Sequence, residues 1–462
     1  MADEFAKHVR SDRSDAVAIV RRLTDAGHVA YFAGGCVRDL LLGLVPKDYD
    51  VATDAPPDRV RELFRNTQAV GAAFGVILVR QGQSVVEVAT FRSDGKYLDG
   101  RRPSKVHFTT AQEDAQRRDF TINGLFLDPI ADRIIDQGSR LEDLRVRRLR
   151  AIGSAVEQFD VIDFVGGVED LDAKRLRAIG SPAARFEEDS LRLLRAVRLS
   201  ARLSFGIESA TADAIRSHAP QLRRVSPERI AEELRMMLTP PTRVAAWELL
   251  WKLGLTPELF RFLHVEPSRK PDPTMFLFAR LAPAESIPFG PALAAAAICY
   301  QLQLAAPASD VRHLFQTSQV NAAVGALRKS LKLSNEETDA MRLTLSGITP
   351  LLADPEPSVA TMMRFLAGSE AAWSRALLQA LDEAGYLRDR IRWLAERLSD
   401  LEKEDVAPPP LLDGEMLIAA GLTPGPIFRK LLDAVYDAQL EHRVKDKEEA
   451  LAMAMRMAGE GT

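Results

Sequence analysis

Two aspartates, Asp48 and Asp50, stand two residues apart in the run KDYDVAT, which reads as a β-strand over 48–52. Strand side chains alternate between faces, so both carboxylates project from the same side, a spacing suited to joint binding of magnesium. Divalent ions held in this way lower the pKa of an attacking hydroxyl and neutralise a phosphate leaving group. Glu87, in VVEVATFR on a hairpin read over 69–92, is a candidate third carboxylate, with a solvent-facing strand residue as the plain alternative. Upstream, Gly34 and Gly35 precede the helical run CVRDLLLG, with Arg38 and Asp39 in its first turn. Free N–H groups at a helix start attract phosphate, and glycine lets it approach closely. An ordinary strand-to-helix turn has the same look, and it is the acidic pair downstream that favours the phosphate reading.

Two further clusters carry chemistry. In RRDFTING, Arg118 and Asp119 are followed by Asn123, four residues beyond Asp119 and one turn away if the segment is helical. Arginine neutralises a triphosphate and aspartate accepts from a ribose hydroxyl, although a surface ion pair uses the same residues. Glu188, Asp189 and Arg192 open a strongly amphipathic helix, and the i,i+3 spacing of Asp189 and Arg192 sets their heads side by side. An acceptor beside a donor matches cytosine and adenine, each of which shows an amine next to a ring nitrogen. Guanine and uracil present the inverse order and leave buried groups unpaired, which a site of this type rejects by factors reaching roughly 10⁴. A helix-start salt bridge is the alternative, and Arg195, one turn on, faces phosphate or solvent.

Other chemistries find no support. Cys36 and Cys299 are the only cysteines, neither in a C-x-x-C pair, and the seven histidines form no H-x-x-x-H. Neither a Walker A string nor G-x-S-x-G occurs.

The elements that must position these residues fall into an α+β order. Helix is expected from Asp15 to Ala26 and after Gly35, strand over 29–33 and 48–52, then the hairpin; GKYLDGRRPSKV, between Gly95 and Val106, reads as a mobile basic loop. From Glu187 onward nearly every segment has helical period, with Pro-rich breaks at 266–274, 282–291 and 407–410. Between these regions IIDQGSRLEDLRVRRLRAIGS, from Ile134, resembles VIDFVGGVEDLDAKRLRAIGS, from Val161: a tandem near-copy of 27 residues. Two copies are too few for a solenoid and read as a local duplication. At 462 residues several compact units are expected, without a membrane span or secretory signal, and the cytoplasm is the default location. The net charge of −4 argues against a general nucleic-acid coat, so any RNA binding must use local basic patches.

In order, GGCVRD, KDYDVAT, VEVATFRSDG, RRDFTINGLF, RAIGSPAARFEEDSLRLLRAVRLSARLSF and ERIAEEL resemble the motif series of the class II tRNA nucleotidyltransferases and bacterial poly(A) polymerases. The likeness covers roughly 28–240 apart from 133–159, and the tail from Leu411 is similar to that family's tRNA-binding end. It implies a small nucleotidyltransferase-type sheet over 1–132, a duplicated insert at 133–159, a neck over 160–240 with the nucleotide-selecting helix, a helical body over 241–406 and a helical tail over 407–462. It implies Mg2+ as cofactor on Asp48 and Asp50, and CTP, ATP and the tRNA 3′ end and acceptor arm as partners. The family's ribose and triphosphate motif falls on Arg118, Asp119 and Asn123, its amino-acid template on Glu188, Asp189 and Arg192, and its flexible loop on Gly95–Val106. The expected activity is addition of CCA to tRNA, with A-only or poly(A) addition as the alternative. An intact loop favours competence to add A, and VGAAFGV in place of a basic G-R-R-F stretch favours tRNA over poly(A) synthesis. A non-catalytic RNA-binding relic and transfer to a small molecule are the rivals from other classes, and the intact Asp48, Asp50, Asp119 and Arg192 speak against the relic.

Overall fold

The computed structural model describes residues 12–71, 75–95, 106–130, 146–150, 158–263, 281, 285–303 and 311–460. They form two compact units, one of Met1–Glu233 with Leu249–Glu258, the other of Leu234–Glu248 with Leu259–Thr462.

In the first unit, helix α1 (Arg13–Asp25) starts where the Asp12 carboxylate accepts from the Ser14 N–H at 3.0 Å, and buries Ala16, Ile19, Val20 and Leu23 at helical spacing. The chain then forms β1 (Ala30–Ala33), α2 (Gly35–Leu41), β2 (Asp50–Thr53), α3 (Pro57–Leu63), β3 (Thr67–Gly71), β4 (Val76–Gln81) and β5 (Ser84–Thr90). A short ribbon of β6 (Arg92–Asp94) and β7 (Val106–Phe108), helix α4 (Ala111–Gln116), a 3₁₀ turn at Thr121–Asn123 and β8 (Phe126–Asp128) follow. With β9 (Val146–Arg150) and β10 (Gln158–Ile162), eight strands make one sheet in the order β3-β4-β5-β2-β1-β8-β10-β9. Alternation buries Phe32, Val51, Val86, Val88 and Leu127 completely, so the sheet is a rigid floor under one edge of functional residues.

Two registers matter for the site. Ala33 lies opposite Asp50 in the antiparallel β1/β2 pair, and Val51 lies beside Val88 in the parallel β2/β5 pair. The first brings the Gly34-Gly35 turn to Asp50; the second puts Asp50 and Glu87 at matching positions, each one residue before a paired valine.

Three expectations change. The strand begins at Asp50, not at 48, so Asp48 sits in the approach to it. The strand expected over 69–80 is two, β3 and β4, and the hairpin is β4–β5. Of the near-copy 133–159 only β9 and the first residues of β10 are described, and residues 96–105 of the basic loop are outside the described set.

Beyond β10 come α5 (Gly167–Asp172), β11 (Arg175–Leu176), α6 (Pro182–Glu188), α7 (Arg192–Leu203), β12 (Gly206–Ile207), α8 (Ser209–His218) and α9 (Pro227–Leu238). The second unit is helical throughout its described part. A capping box between Ser334 and Glu337 starts the helix Asn335–Ser346. Its last three helices, Gly414–Ala419, Pro426–Leu440 and Lys447–Glu460, bury their own cluster of Leu412, Leu417, Leu431, Val435, Ala450 and Ala454.

Candidate active site

A cleft of about 640 Å³ opens above the β1/β2 end of the sheet, between it and α7. Gly34, Gly35, Arg38, Asp48, Asp50, Arg118, Asp119, Asn123, Asp189, Arg192 and Arg195 all line it; Glu87 and Glu188 do not. Nine arginines and five aspartates face the cavity, which makes it the local basic patch that the chain's net charge of −4 conceals.

The acidic end is crowded. Burial, then the charges of Glu87 and Asp48, push the Asp50 carboxyl up to about 7, with Arg118 opposing. Glu87 is solvent-exposed on β5, yet loss of surrounding water raises its carboxyl too, Arg92 opposing and Asp48 adding to the shift. Because its surface is open, Glu87 is the weaker constraint of the two. Carboxylates pressed together in this way favour a cation between them. Among the described residues no group of three His, Cys, Asp or Glu side chains is arranged to hold a metal. A two-carboxylate site suits magnesium, which completes its shell with waters and substrate phosphate oxygens rather than a full protein cage. Cys36, below the same turn, donates to the Ala33 carbonyl at 3.3 Å, and burial beside Asp50 pushes its thiol up to about 12, so it stays a packing residue.

Gly34 makes the close approach possible. Its φ of 75° is left-handed, and a Cβ there would meet the Arg118 guanidinium at 3.0 Å. Arg118 in turn is held by Asp114, whose Oδ2 accepts from its Nε and Nη2 at 3.1 and 2.9 Å, while Oδ1 accepts from Arg117 and from the Arg92 N–H. Burial would raise the Asp114 carboxyl, but Arg118 and Arg117 outweigh it and lower it.

The Asp119–Asn123 spacing is used, though in a 3₁₀ turn rather than an α-helix. Asn123 Nδ2 donates to Asp119 Oδ1 at 3.1 Å, and Arg38 donates to Asn123 Oδ1 at 2.6 Å. Arg195 binds the other Asp119 oxygen at 2.6–2.8 Å, and Arg202, two turns further along α7, binds Asp39 at 2.7 Å. Asp39 itself holds Arg38 through two contacts of 2.8 and 2.6 Å. Helix α7 is therefore tied to the sheet domain at two points on one face.

Burial alone would raise Asp119, but Arg195, Asn123 and Arg192 overcome it and hold the carboxyl well below the ordinary range. A depressed carboxyl contributes stability that is complete above the unfolded pKa and is lost as pH falls toward the folded one. Arg195→Ala is thus expected to lower stability at neutral pH by about 1.5–3 kcal/mol, the worth of a charge-assisted hydrogen bond. The Tm gap to the parent should narrow below about pH 4; an undiminished gap there would show that Asp119 ionisation is not its source.

The Glu188–Arg192 segment departs from expectation. Instead of opening one helix, Glu188 ends α6 and Arg192 starts α7, with Asp189 extended between them at φ −146°. The Asp189 carboxylate accepts from the Leu191 N–H at 3.0 Å, the local competition by which aspartate interrupts a helix. Its other oxygen accepts from Arg229 on α9 at 2.7 Å, whereas Arg192 donates to Glu188 at 2.6 Å and to the Arg185 carbonyl at 3.1 Å. Asp189 and Arg192 both face the cleft but are each fixed by other partners. Asp39 was read only as a neighbour of Arg38, and Asp114, Arg202 and Arg229 escaped the sequence reading. Only Asp114 carried a signal, its i+3 and i+4 spacing to Arg117 and Arg118; the others depend on contacts distant in sequence.

Residues 30–150 match the family model of the Poly A polymerase head domain, and 204–266 match that of a probable RNA and SrmB-binding site of polymerase A. A CCA-adding enzyme of Streptococcus pyogenes serotype M5 is 30% identical over 443 residues, 94% of each chain. A serotype M2 relative of the same description is 39% identical over 232 residues, and in that alignment the chain spans about half, 51%, of the relative's length. Among solved structures, the Bacillus stearothermophilus CCA-adding enzyme in complex with CTP matches with a TM-score of 0.68 at 24% identity, covering 97% of this chain and 99% of that one. The Thermotoga maritima CCA-adding enzyme complexed with tRNA matches at 0.62 and 19% identity, covering 99% and 98%. These two likenesses establish the fold. No helix among the described residues is long and apolar enough to cross a membrane.

Proposed function

The chain belongs to the family of CCA-adding enzymes, and from that premise we propose that it adds C, C and A to the 3′ end of tRNA from CTP and ATP, releasing pyrophosphate. The observation that carries the reading is the single cleft that unites an acidic pair, an arginine-rich wall and the Asp189/Arg192 pair. The RNA 3′ hydroxyl attacks the α-phosphate in line, and most of the work is positioning and charge stabilisation.

Asp48 and Asp50 would hold Mg2+, which supplies Lewis-acid activation of the hydroxyl and neutralisation of the leaving group. The arginines bind the triphosphate: Arg118, preset by Asp114, points a forked donor at phosphate, and the Gly34-Gly35 turn lets the chain come close. Asn123 and Asp119 form the polar shelf for the ribose, and Arg38 and Arg195 keep that shelf in place. Asp189 offers an acceptor and Arg192 a donor to the base, with Glu188 acting only through Arg192. A buried edge with that order accepts cytosine and adenine and leaves groups unpaired against uracil and guanine. On this reading the protein would work in the cytoplasm, the location expected by default.

Incorporation by the purified protein, with magnesium, on tRNA transcripts lacking CCA, ending in C and ending in CC, tests the reading. Completion of CCA followed by arrest is expected. Addition of A alone to the CC end, or long A tails, would move the activity to an A-adding enzyme or poly(A) polymerase, and no incorporation on any RNA would refute it.

A further inference from the structure

The two near-copies, 133–159 and 160–186, are identical at 13 of 27 aligned positions; the head-domain match ends at residue 150, inside the first, whereas the second runs directly into the EEDSLR motif. The structure gives the second copy a working position. The second copy pairs with β8, Asp160 opposite Asp128 and Ile162 opposite Phe126, and then turns into α5. The Asp163 carboxylate accepts from the N–H groups of Val165, Gly166, Gly167 and Val168 at 2.9–3.0 Å, fixing that turn. Asp170, fully buried, then binds Thr121 Oγ1 at 2.6 Å, Arg175 at 2.6 Å and Arg177 at 2.8 Å. Thr121 is the first residue of the turn that carries Asn123 and follows Asp119.

The first copy keeps this charged machinery: Asp136, Asp143, Arg148 and Arg150 stand where the second has Asp163, Asp170, Arg175 and Arg177. It differs at the closest approach. Gly166 and Gly167 align with Ser139 and Arg140. Gly166 has φ 80°, and a Cβ on it would lie 2.9 Å from the Arg177 guanidinium. A Cβ on Gly167 would lie 2.2 Å from the Thr121 carbonyl oxygen, and backbone cannot give way as a side-chain tip can. Arg185, which holds Glu188 at 2.9 Å, aligns with Gln158.

We propose that Gly166, Gly167 and Asp170 are positioning residues for the Asp119–Asn123 turn, and that Ser139 and Arg140 bar the first copy from that role, leaving residues 133–159 dispensable. The register supports the last point. Without 133–159, residues 129–132 alone would join Asp128 to its partner Asp160, a four-residue hairpin connection, and Asp128 already accepts from the Ile130 N–H at 2.9 Å.

Three variants of the full chain test this, with labelled CTP incorporation into tRNA lacking CCA and thermal unfolding as readouts. The activity arm rests on the proposed nucleotide addition and the unfolding arm does not, so an inactive parent refutes that function while unfolding still tests this inference. Deletion of 133–159 should leave kcat/KM within about threefold and Tm within a few degrees of the parent; collapse of both overturns the proposal. Gly167→Arg in that deletion should lower Tm and raise KM for CTP at least about tenfold while KM for tRNA stays within about threefold, as expected for a displaced ribose shelf. An unchanged KM and Tm would overturn it. Deletion of 160–186 should lower incorporation and Tm strongly, and S139G/R140G/Q158R in that background should regain at least about tenfold activity and part of the lost Tm. Equal behaviour with and without the three reversions would overturn the assignment.

Discussion

Asp50→Ala and Asp48→Ala are each expected to remove addition of every nucleotide, by about a thousandfold or more in kcat/KM, while leaving tRNA binding at low salt within about threefold. The magnitude follows from charge. In-line transfer builds negative charge on the leaving pyrophosphate, and the acidic pair is a place in the cleft where carboxylates crowd together: Asp50 is pushed up to about 7 by burial and by Glu87 and Asp48. If the pair holds Mg2+ as proposed, removing one carboxylate would take away a ligand worth several kcal/mol at the transition state. It leaves the nine arginines of the cleft in place, and on the proposed function these would carry the salt-dependent attraction for RNA. Single-turnover incorporation with CTP and with ATP, paired with a binding titration, separates the two effects. If either alanine variant kept more than about a tenth of parental activity, the metal assignment would fail.

The second large effect concerns choice of base. Asp189→Ala and Arg192→Ala are expected to cut the preference for CTP over UTP by about a hundredfold or more, because in the proposed site the penalty against uracil would come from donor and acceptor groups left unpaired. Both side chains are held rigidly, Asp189 by Leu191 N–H and Arg229 and Arg192 by Glu188 and Arg185, so neither can turn to suit the wrong edge. The two variants differ in their side effects. Arg192→Ala leaves Glu188 with Arg185 as partner at 2.9 Å, whereas Asp189→Ala strips Arg229 of its carboxylate. Competition between CTP and UTP on tRNA lacking CCA gives the ratio directly, and a ratio equal to the parent's in both variants would remove the templating role.

Much of the site was legible in the chain because its residues lie in short motifs whose geometry is local. The i,i+2 spacing of Asp48 and Asp50 was enough to nominate the pair; the strand starts at Asp50, so alternation does not itself aim Asp48, yet both residues line the cleft. The glycine turn was readable for the same reason, since Gly34 takes a φ of 75° that other residues resist. Helical period gave the second unit, whose packing faces repeat along the chain.

Local rules failed where the partner is remote. The i,i+3 reading of Asp189 and Arg192 assumed one helix, but Asp189 bonds its own backbone and Arg229, forty residues away in sequence, and the helix breaks there. Periodicity carries no information about such a partner. Likewise the order of motifs favours the second near-copy without showing what that copy holds in place. Chain order, composition and motif spacing determined the chemistry and the class of fold. The tertiary structure alone decided the ties from α7 to Asp119 and Asp39, the Arg229 contact of Asp189 and the seating of Gly167 against Thr121. Each of these depends on how closely two distant backbones can approach, and at Gly167 that distance leaves no room for a Cβ.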